Sequence, residues 1–323
     1  MSTRIFIKRK NDDDVLESVD AKKPALELLT FTPYSKLAPE LRRHALRYSK
    51  LSTLKQYAEC SRICNLDIQI HRTKAPQRLE ITGFHGGVTV TQYYHIARNI
   101  AIAEKILHYG GTMNQDVENY VLKSFRYVKE GYTDTIFVNV TQWPVRIMEL
   151  KQLQNAIFCN FCLYKPSLND FIAFAQTTNL RPKVLELHGY GLGDDEVVVP
   201  REFFKTEFVK NLSLLTNYPK FQIDRDDFAN LSINTLEFKN WIDIDLLQAK
   251  ILKLNQTNPN EAFKMKIELP RNERRRFDLN EILTEEKFPH RYLENNHVGS
   301  VGHFLVEISN DKKKLQVYYS RRF

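Results

Sequence analysis

The four cysteines are the first side chains whose spacing could do chemistry: Cys60-x-x-x-Cys64 and Cys159-x-x-Cys162. Four thiolates can hold a tetrahedral zinc ion. The two pairs fall in different local patterns, however. Cys60 and Cys64 share a helix face, whereas Cys159 and Cys162 lie in a strand-like run, where residues three apart point to opposite faces. Buried free thiols are therefore expected, with no metal and no cofactor. A second candidate is Gly189-Tyr190-Gly191-Leu192-Gly193-Asp194-Asp195, which follows a strand and resembles a dinucleotide turn. The third glycine of that fingerprint falls at Asp194, and two carboxylates beside a pyrophosphate would repel it, so an acidic turn leading into a crossover is the reading. His85, His95 and His108 have no carboxylate at ligand spacing. The nucleophile elbow, the zinc-protease helix and the Walker loop are all missing from the sequence, so no catalytic residue is assigned and a non-enzymatic role is expected.

The densest charge run is Arg271-Asn272-Glu273-Arg274-Arg275-Arg276, directly after Pro270. Arg271, Arg274, Arg275 and Arg276 could contact an acidic partner or nucleic-acid phosphates, or serve as a nuclear address; a solvated loop is the plain alternative. Together with Lys312-Lys313-Lys314 and Arg321-Arg322 they would form one basic end. No aromatic-interleaved RNA signature accompanies the run, which makes nucleic acid the lesser partner class. Lys and Arg number 47 against 39 Asp and Glu, a net charge of +8 that is spread along the chain. The chain shows no apolar run of membrane-spanning length and no N-terminal apolar segment of signal-peptide type, so an intracellular protein, cytoplasmic or nuclear and without a membrane partner, is expected.

What must position these side chains is a series of short strand-like pieces between Val138 and Leu269. They are Val138-x-Val140, Cys159-x-Phe161, Leu185-x-Leu187, Leu212-x-Leu214, Leu236-x-Phe238 and Met265-x-Ile267, separated by 21, 26, 27, 24 and 29 residues. One strand plus one helical or irregular crossover fills that interval in a leucine-rich-type unit. A single strand has nothing to bury its apolar face against, and neighbouring units supply that surface. Asparagine follows the strand at Asn217 and Asn240. Ser167-x-x-Asp170, Asp243 and Asp278-x-x-Glu281 carry helix-start signals in the crossovers. The expected fold class is therefore α/β: an irregular leucine-rich-repeat-like βα array that works as a recognition surface. An ordinary irregular α/β sheet is the alternative.

Around the array, Arg78-Leu79-Glu80-Ile81 reads as a strand. Ile96, Ile100, Ala103 and Leu107 predict a helix over 93–108. Thr112-x-x-Gln115 has the form of a capping box opening a second helix, with Val117, Val121, Phe125 and Val128 as its buried side. His303–Ile308 and Leu315–Tyr319 alternate about Ser309-Asn310-Asp311-Lys312, which predicts a C-terminal hairpin that closes the open end of the sheet. Residues 1–24 are charged and aperiodic and are expected to be a mobile tail, and 71–323 are assigned to the α/β recognition domain.

Residues 25–70 form a short helical module by their apolar spacing. In it, Leu37-Ala38-Pro39-Glu40-Leu41, then Leu46, Leu51, Ser52-Thr53-Leu54 and Tyr57-Ala58-x-Cys60-Ser61-Arg62, resemble an F-box, with Ala38 standing between the leucine and the proline. The likeness is closest to divergent nematode F-box and F-box-associated proteins. It implies that Leu37, Pro39, Leu41, Leu46 and Leu54 dock a Skp-type adaptor. The chain would then be the substrate-recognition subunit of a cullin-type ubiquitin ligase, and the array would hold an unknown protein target. A protein-interaction scaffold without a ubiquitin link, or a basic nucleic-acid binder, are the alternatives.

Overall fold

The computed structural model describes residues 38, 41–42, 60, 73–74, 76–84, 87–97, 100–109, 113, 115–125, 128–130, 132–190, 196–256 and 262–320. The charged tail, most of the F-box-like module (Leu37, Pro39, Leu46, Leu54 and Cys64 among it), Thr112, the Gly191–Asp195 turn and Arg321-Arg322 lie outside them.

Thirteen strands form one sheet. They are β1 Arg78–Phe84, β2 Gly87–Ala97, β3 Ile100–Tyr109, β4 Thr135–Asn139, β5 Phe158–Tyr164, β6 Val184–Tyr190, β7 Leu214–Asn217, β8 Thr235–Phe238, β9 Lys264–Glu268, β10 Tyr292–Leu293, β11 Val298–Val301, β12 Phe304–Ile308 and β13 Lys314–Tyr319. Their spatial order is β10-β11-β12-β13-β9-β8-β7-β6-β5-β4-β1-β2-β3. From β1 through β4 to β9 every neighbouring pair is parallel. The sequence order of β4–β9 is also their spatial order, so each crossover returns the chain to the adjacent position.

Register explains why these segments are strands. Leu79, Ile136, Cys159, Leu185, Leu215, Leu236 and Met265 are successive partners across seven strands. All seven are completely buried. A second such row two residues on runs Ile81, Val138, Phe161, Leu187, Asn217, Phe238 and Ile267. Side chains alternate along a strand, so two inward positions per strand make one continuous wall, apolar except at Asn217. The predicted pieces land on the right strands, with two corrections of register. Val138 belongs to the second row, and the unit's first position is Ile136; Leu212 precedes its strand, and the equivalent position is Leu215. The true separations are then 23, 26, 30, 21 and 29 residues.

The crossovers cover this wall with short helices: Val145–Met148, Leu168–Thr177, Arg201–Phe204, Glu207–Lys210, Arg225–Ala229, Ile244–Gln256 and Leu279–Ile282. Aromatic rings fill much of the space beneath them. Trp143 meets Phe161 edge-on at 5.1 Å, and Phe161 also contacts Phe171 at 5.8 Å and Phe208 at 6.4 Å. Such offset and edge-on pairs add about 0.5–1.5 kcal/mol each beyond the area they bury. Buried Asn217 donates through Nδ2 to the Pro219 carbonyl at 2.7 Å, and Asn240 likewise donates to the Tyr218 carbonyl. The post-strand asparagines thus satisfy the turn backbone that leaves the sheet.

Two helix starts differ in their chemistry. Asp278 caps Leu279–Ile282 by accepting from the Asn280 backbone N–H at 2.9 Å, as expected. Ser167 instead donates to the Tyr164 carbonyl at 3.1 Å within a tight turn and leaves the helix end alone.

The helix predicted over 93–108 is not formed. Residues 87–97 and 100–109 are the two strands β2 and β3, antiparallel to each other, with β2 antiparallel to β1. The 3.6-residue stripe coexists there with a period of two: Val88 and Val90 are buried opposite β1, in a run rich in Val, Thr and Tyr. Pairing along β1 gives that second period a wall to bury against. The following helix, Gln115–Phe125, does form, with Val117, Val121 and Phe125 buried, while Val128 falls in a separate short strand, Val128–Glu130. The C-terminal hairpin is present as β12 and β13, and β13 lies antiparallel to β9, ending the parallel run. It does not close the sheet as expected, because β11 and β10 extend the sheet beyond β12.

A candidate protein-recognition face

Residues that alternate with the buried rows point to the other side of the sheet, and there most are half-exposed, Thr216 and Cys162 being buried. Register again sets them in rows. Thr135, Phe158, Val184, Leu214 and Thr235 form one near the strand starts. Phe137, Asn160, Glu186, Thr216, Glu237 and Lys266 form the next. Asn139, Cys162 and His188 begin a third, and Lys239 follows β8 opposite Glu268, which itself pairs with Lys314 on β13. The face is therefore apolar along one border and polar along the other.

The polar border is tied together across strands. Tyr164 donates to Asn139 Oδ1 at 2.7 Å and stacks on Tyr190 at 5.5 Å. Asn160 donates through Nδ2 to Glu186 at 2.5 Å and lies 3.4 Å from His188 Nε2. The His188 ring stacks on Tyr218 at 4.2 Å, and Lys239 Nζ sits 6.0 Å from the far ring centre. Burial lowers the His188 pKa although Glu186 pulls it upward, so the imidazole is neutral at pH 7. Burial pushes the Cys162 thiol up to about 11, with Tyr190 opposing through a hydrogen bond. That thiol is protonated at neutral pH and is a poor nucleophile.

At the far end, Glu268 receives Lys239 at 2.8 Å and Lys314 at 3.1 Å, with Lys266 at 3.8 Å. Hydrogen bonds from Lys239 and Lys314 hold its carboxyl at about 2. Burial works against the Lys239 charge, but its bond to Glu268 keeps that ammonium above its ordinary value.

The basic loop follows β9 directly, and its four arginines divide into two kinds. Arg275 is clamped by Glu273 at 2.9 and 3.1 Å and lies 4.7 Å from the Trp241 ring centre, whose indole stacks on Phe277 at 5.3 Å. Arg276 donates to the carbonyls of Glu273 and Arg275, both at 2.8 Å. These two shape the loop. Arg271 and Arg274 are exposed, and their guanidinium groups have no partner among the described residues. The hairpin turn abuts the loop, since Lys313 donates to the Arg271 carbonyl at 2.5 Å. The strand β13 runs away from this end, from Lys314 opposite Glu268 to Tyr318 opposite Lys264, and Arg321-Arg322 lie outside the described residues.

Cys159 and Cys162 are free and buried, on opposite sides of β5, as the spacing predicts, but Cys60 is exposed, which corrects the expectation of burial for it. Among the described residues no His, Cys, Asp and Glu side chains gather as a metal-holding group. Nor is any helix among them long and apolar enough to cross a membrane. Of the predicted adaptor-docking residues only Leu41 is described: it begins a helical turn in which the Arg42 N–H donates to the Ala38 carbonyl at 3.1 Å, and it is 59% exposed.

The cross-strand row Asn160, Tyr164, Glu186, His188, Tyr190 and Tyr218 was not singled out from sequence. Its signal was present in the positions alternating with the apolar ones, but strand ends had to be known to within one residue to use it.

The fold defines a mixed α/β protein built on a large, mostly parallel sheet, with short helices over one face and, among the described residues, half-exposed side chains on the other. No protein-family model, curated protein or solved structure matches the chain.

Proposed function

We propose that this is a non-enzymatic recognition protein: a leucine-rich-like array that docks a partner protein on the open face of its parallel sheet. The observation carrying the reading is the in-register polar and aromatic row from Asn139 to Lys239, beside the apolar border of Phe158, Val184 and Leu214. Aromatic anchors next to bonded polar groups are the composition of binding surfaces. A photo-reactive side chain at Val184 in the full chain should capture protein far more than one at Glu207 on the helical side. Equal capture at both would refute the docking face.

The resemblance of residues 25–70 to an F-box extends the proposal. Leu37, Pro39, Leu41, Leu46 and Leu54 would dock a Skp-type adaptor, making the chain the target-holding subunit of a cullin ubiquitin ligase. The exposure of Leu41 supports this part. The full chain should retain a recombinant Skp-type adaptor, and Leu41→Asp should abolish retention. If the unmodified chain does not bind the adaptor, the recognition role stands as a scaffold without a ubiquitin link.

A further inference from the structure

The basic corner carries more positive charge than the protein itself neutralises. Loop 271–276 holds four arginines against Glu273, and the facing turn 311–314 holds three lysines against Asp311 and Asp278, the latter 3.9 Å from Lys312 Nζ. Beside them, one carboxylate, Glu268, lies among three ammonium groups. Arg271 and Arg274 remain free of protein partners among the described residues.

We infer that this corner binds an acidic peptide segment of a partner protein, whose carboxylates lie against Arg271, Arg274, Lys266 and Lys314. The inference rests on the recognition reading and names the chemistry of one end of the target. Charge complementarity is the first argument: exposed cations at a sheet edge attract and orient an acidic segment, which lowers the chance of a wrong partner. Glu268 supplies the second, because Lys314 and Lys266 already converge on its carboxylate at 3.1 and 3.8 Å. The third separates a peptide from nucleic acid. Single strands need free aromatic faces on which bases can stack. Here Trp241 has Phe277 on one side and Arg275 on the other. Tyr218 is occupied by His188 and approached by Lys239. The rings that Arg275 and Lys239 approach are therefore already engaged.

The test uses the full chain and two fluorescent probes, a polyglutamate peptide of about ten residues and an oligo(dT) of similar charge, at about 0.15 M salt. The peptide should bind. Arg271→Glu with Arg274→Glu should weaken it about tenfold, since two attractions become repulsions of the size typical of exposed pairs. The pair Arg271→Lys and Arg274→Lys, which keeps the charge, should retain binding, and circular dichroism of each variant reports its fold. Absence of peptide binding, or binding that the double Glu variant leaves unchanged, overturns the inference. Tighter binding of oligo(dT), with a steep salt dependence, overturns it in favour of nucleic acid. Photo-capture at Val184 with no polyglutamate binding would sink this inference alone; polyglutamate binding without preferential capture at Val184 would sink the docking face and leave the corner standing.

Discussion

Lys250 offers the sharpest check on how this core was assembled. It lies in the helix Ile244–Gln256 and is only 3% exposed. Its ammonium donates to the carbonyls of Ala229 at 3.1 Å and Leu231 at 2.5 Å, and sits 5.5 Å from the Phe263 ring centre. Those carbonyls close the helix Arg225–Ala229, so the lysine joins two successive crossovers. Burial, with a smaller push from Lys253, lowers its pKa from 10.5 to about 8. The folded value lies below the unfolded one, so between these limits the unfolded chain holds the extra proton. Stability contributed by this site therefore rises with pH across that window. At 1.36 kcal/mol per pH unit, the gap amounts to about 3 kcal/mol.

The perturbation is Lys250→Met, which keeps the length of the side chain and removes its titration. Urea unfolding of both proteins at a series of pH values gives the difference in stability. That difference should move by about 3 kcal/mol in favour of the unmodified chain between pH 8 and pH 10.5. The loss of the two carbonyl partners in the variant shifts the whole curve but does not change its slope. Tyr93, Tyr164 and Tyr190, whose pKa values are raised, also titrate at high pH, and they cancel because both proteins contain them. A flat difference would refute the reasoning: the carbonyls would then be holding the ammonium as well as water does.

Three further outcomes are expected. Gly189→Ala places a Cβ 2.7 Å from Pro219 Cβ and 3.3 Å from Val197 Cβ, so the midpoint in urea should fall by an amount equivalent to about 1–3 kcal/mol. Glu268, held at about 2 against an ordinary 4.5, contributes stability above pH 4.5 that is lost as pH falls through the folded value; Glu268→Gln should flatten that acid limb, by about 1 kcal/mol once solvent screening of this half-exposed group is allowed for. In brief maleimide labelling followed by peptide mass spectrometry, Cys60 should be modified while Cys159 and Cys162 react only after unfolding, because Cys60 is exposed and burial pushes both other thiols up.

The legible part of this fold was the part with a single period. Cys159, Leu185, Leu236 and Met265 mark strands that are partners in sequence order, because alternation two residues long has one way to bury its apolar side. Leu212 misled because it is buried yet lies before its strand, so apolarity alone could not place the strand start. The segment 93–108 misled for a different reason. It satisfies the helical and the extended period together, and only the partner strand β1, distant information for a local reading, decides between them. For the site, the arginine run was visible as charge, but its division into loop-shaping Arg275 and Arg276 and free Arg271 and Arg274 depends on Glu273 and Trp241, whose positions the run itself does not encode.

The half-exposed face explains why so few leucines recur along these strands. A parallel sheet is usually covered on both faces, and its strands are then apolar at nearly every position. Here the uncovered positions carry Asn160, Glu186, His188 and Lys239, which bond or stack to one another across strands. Such bonds give half-buried polar groups partners without a second layer of helices, Asn160 Oδ1 alone of this set being buried without one. They also hold the side chains in fixed places before any partner arrives, which lowers the ordering cost of binding. The same alternation that thins the repeat pattern in the sequence therefore builds the surface on which recognition is proposed to occur. A fully apolar strand set would have been easier to read, and it would have left no such face.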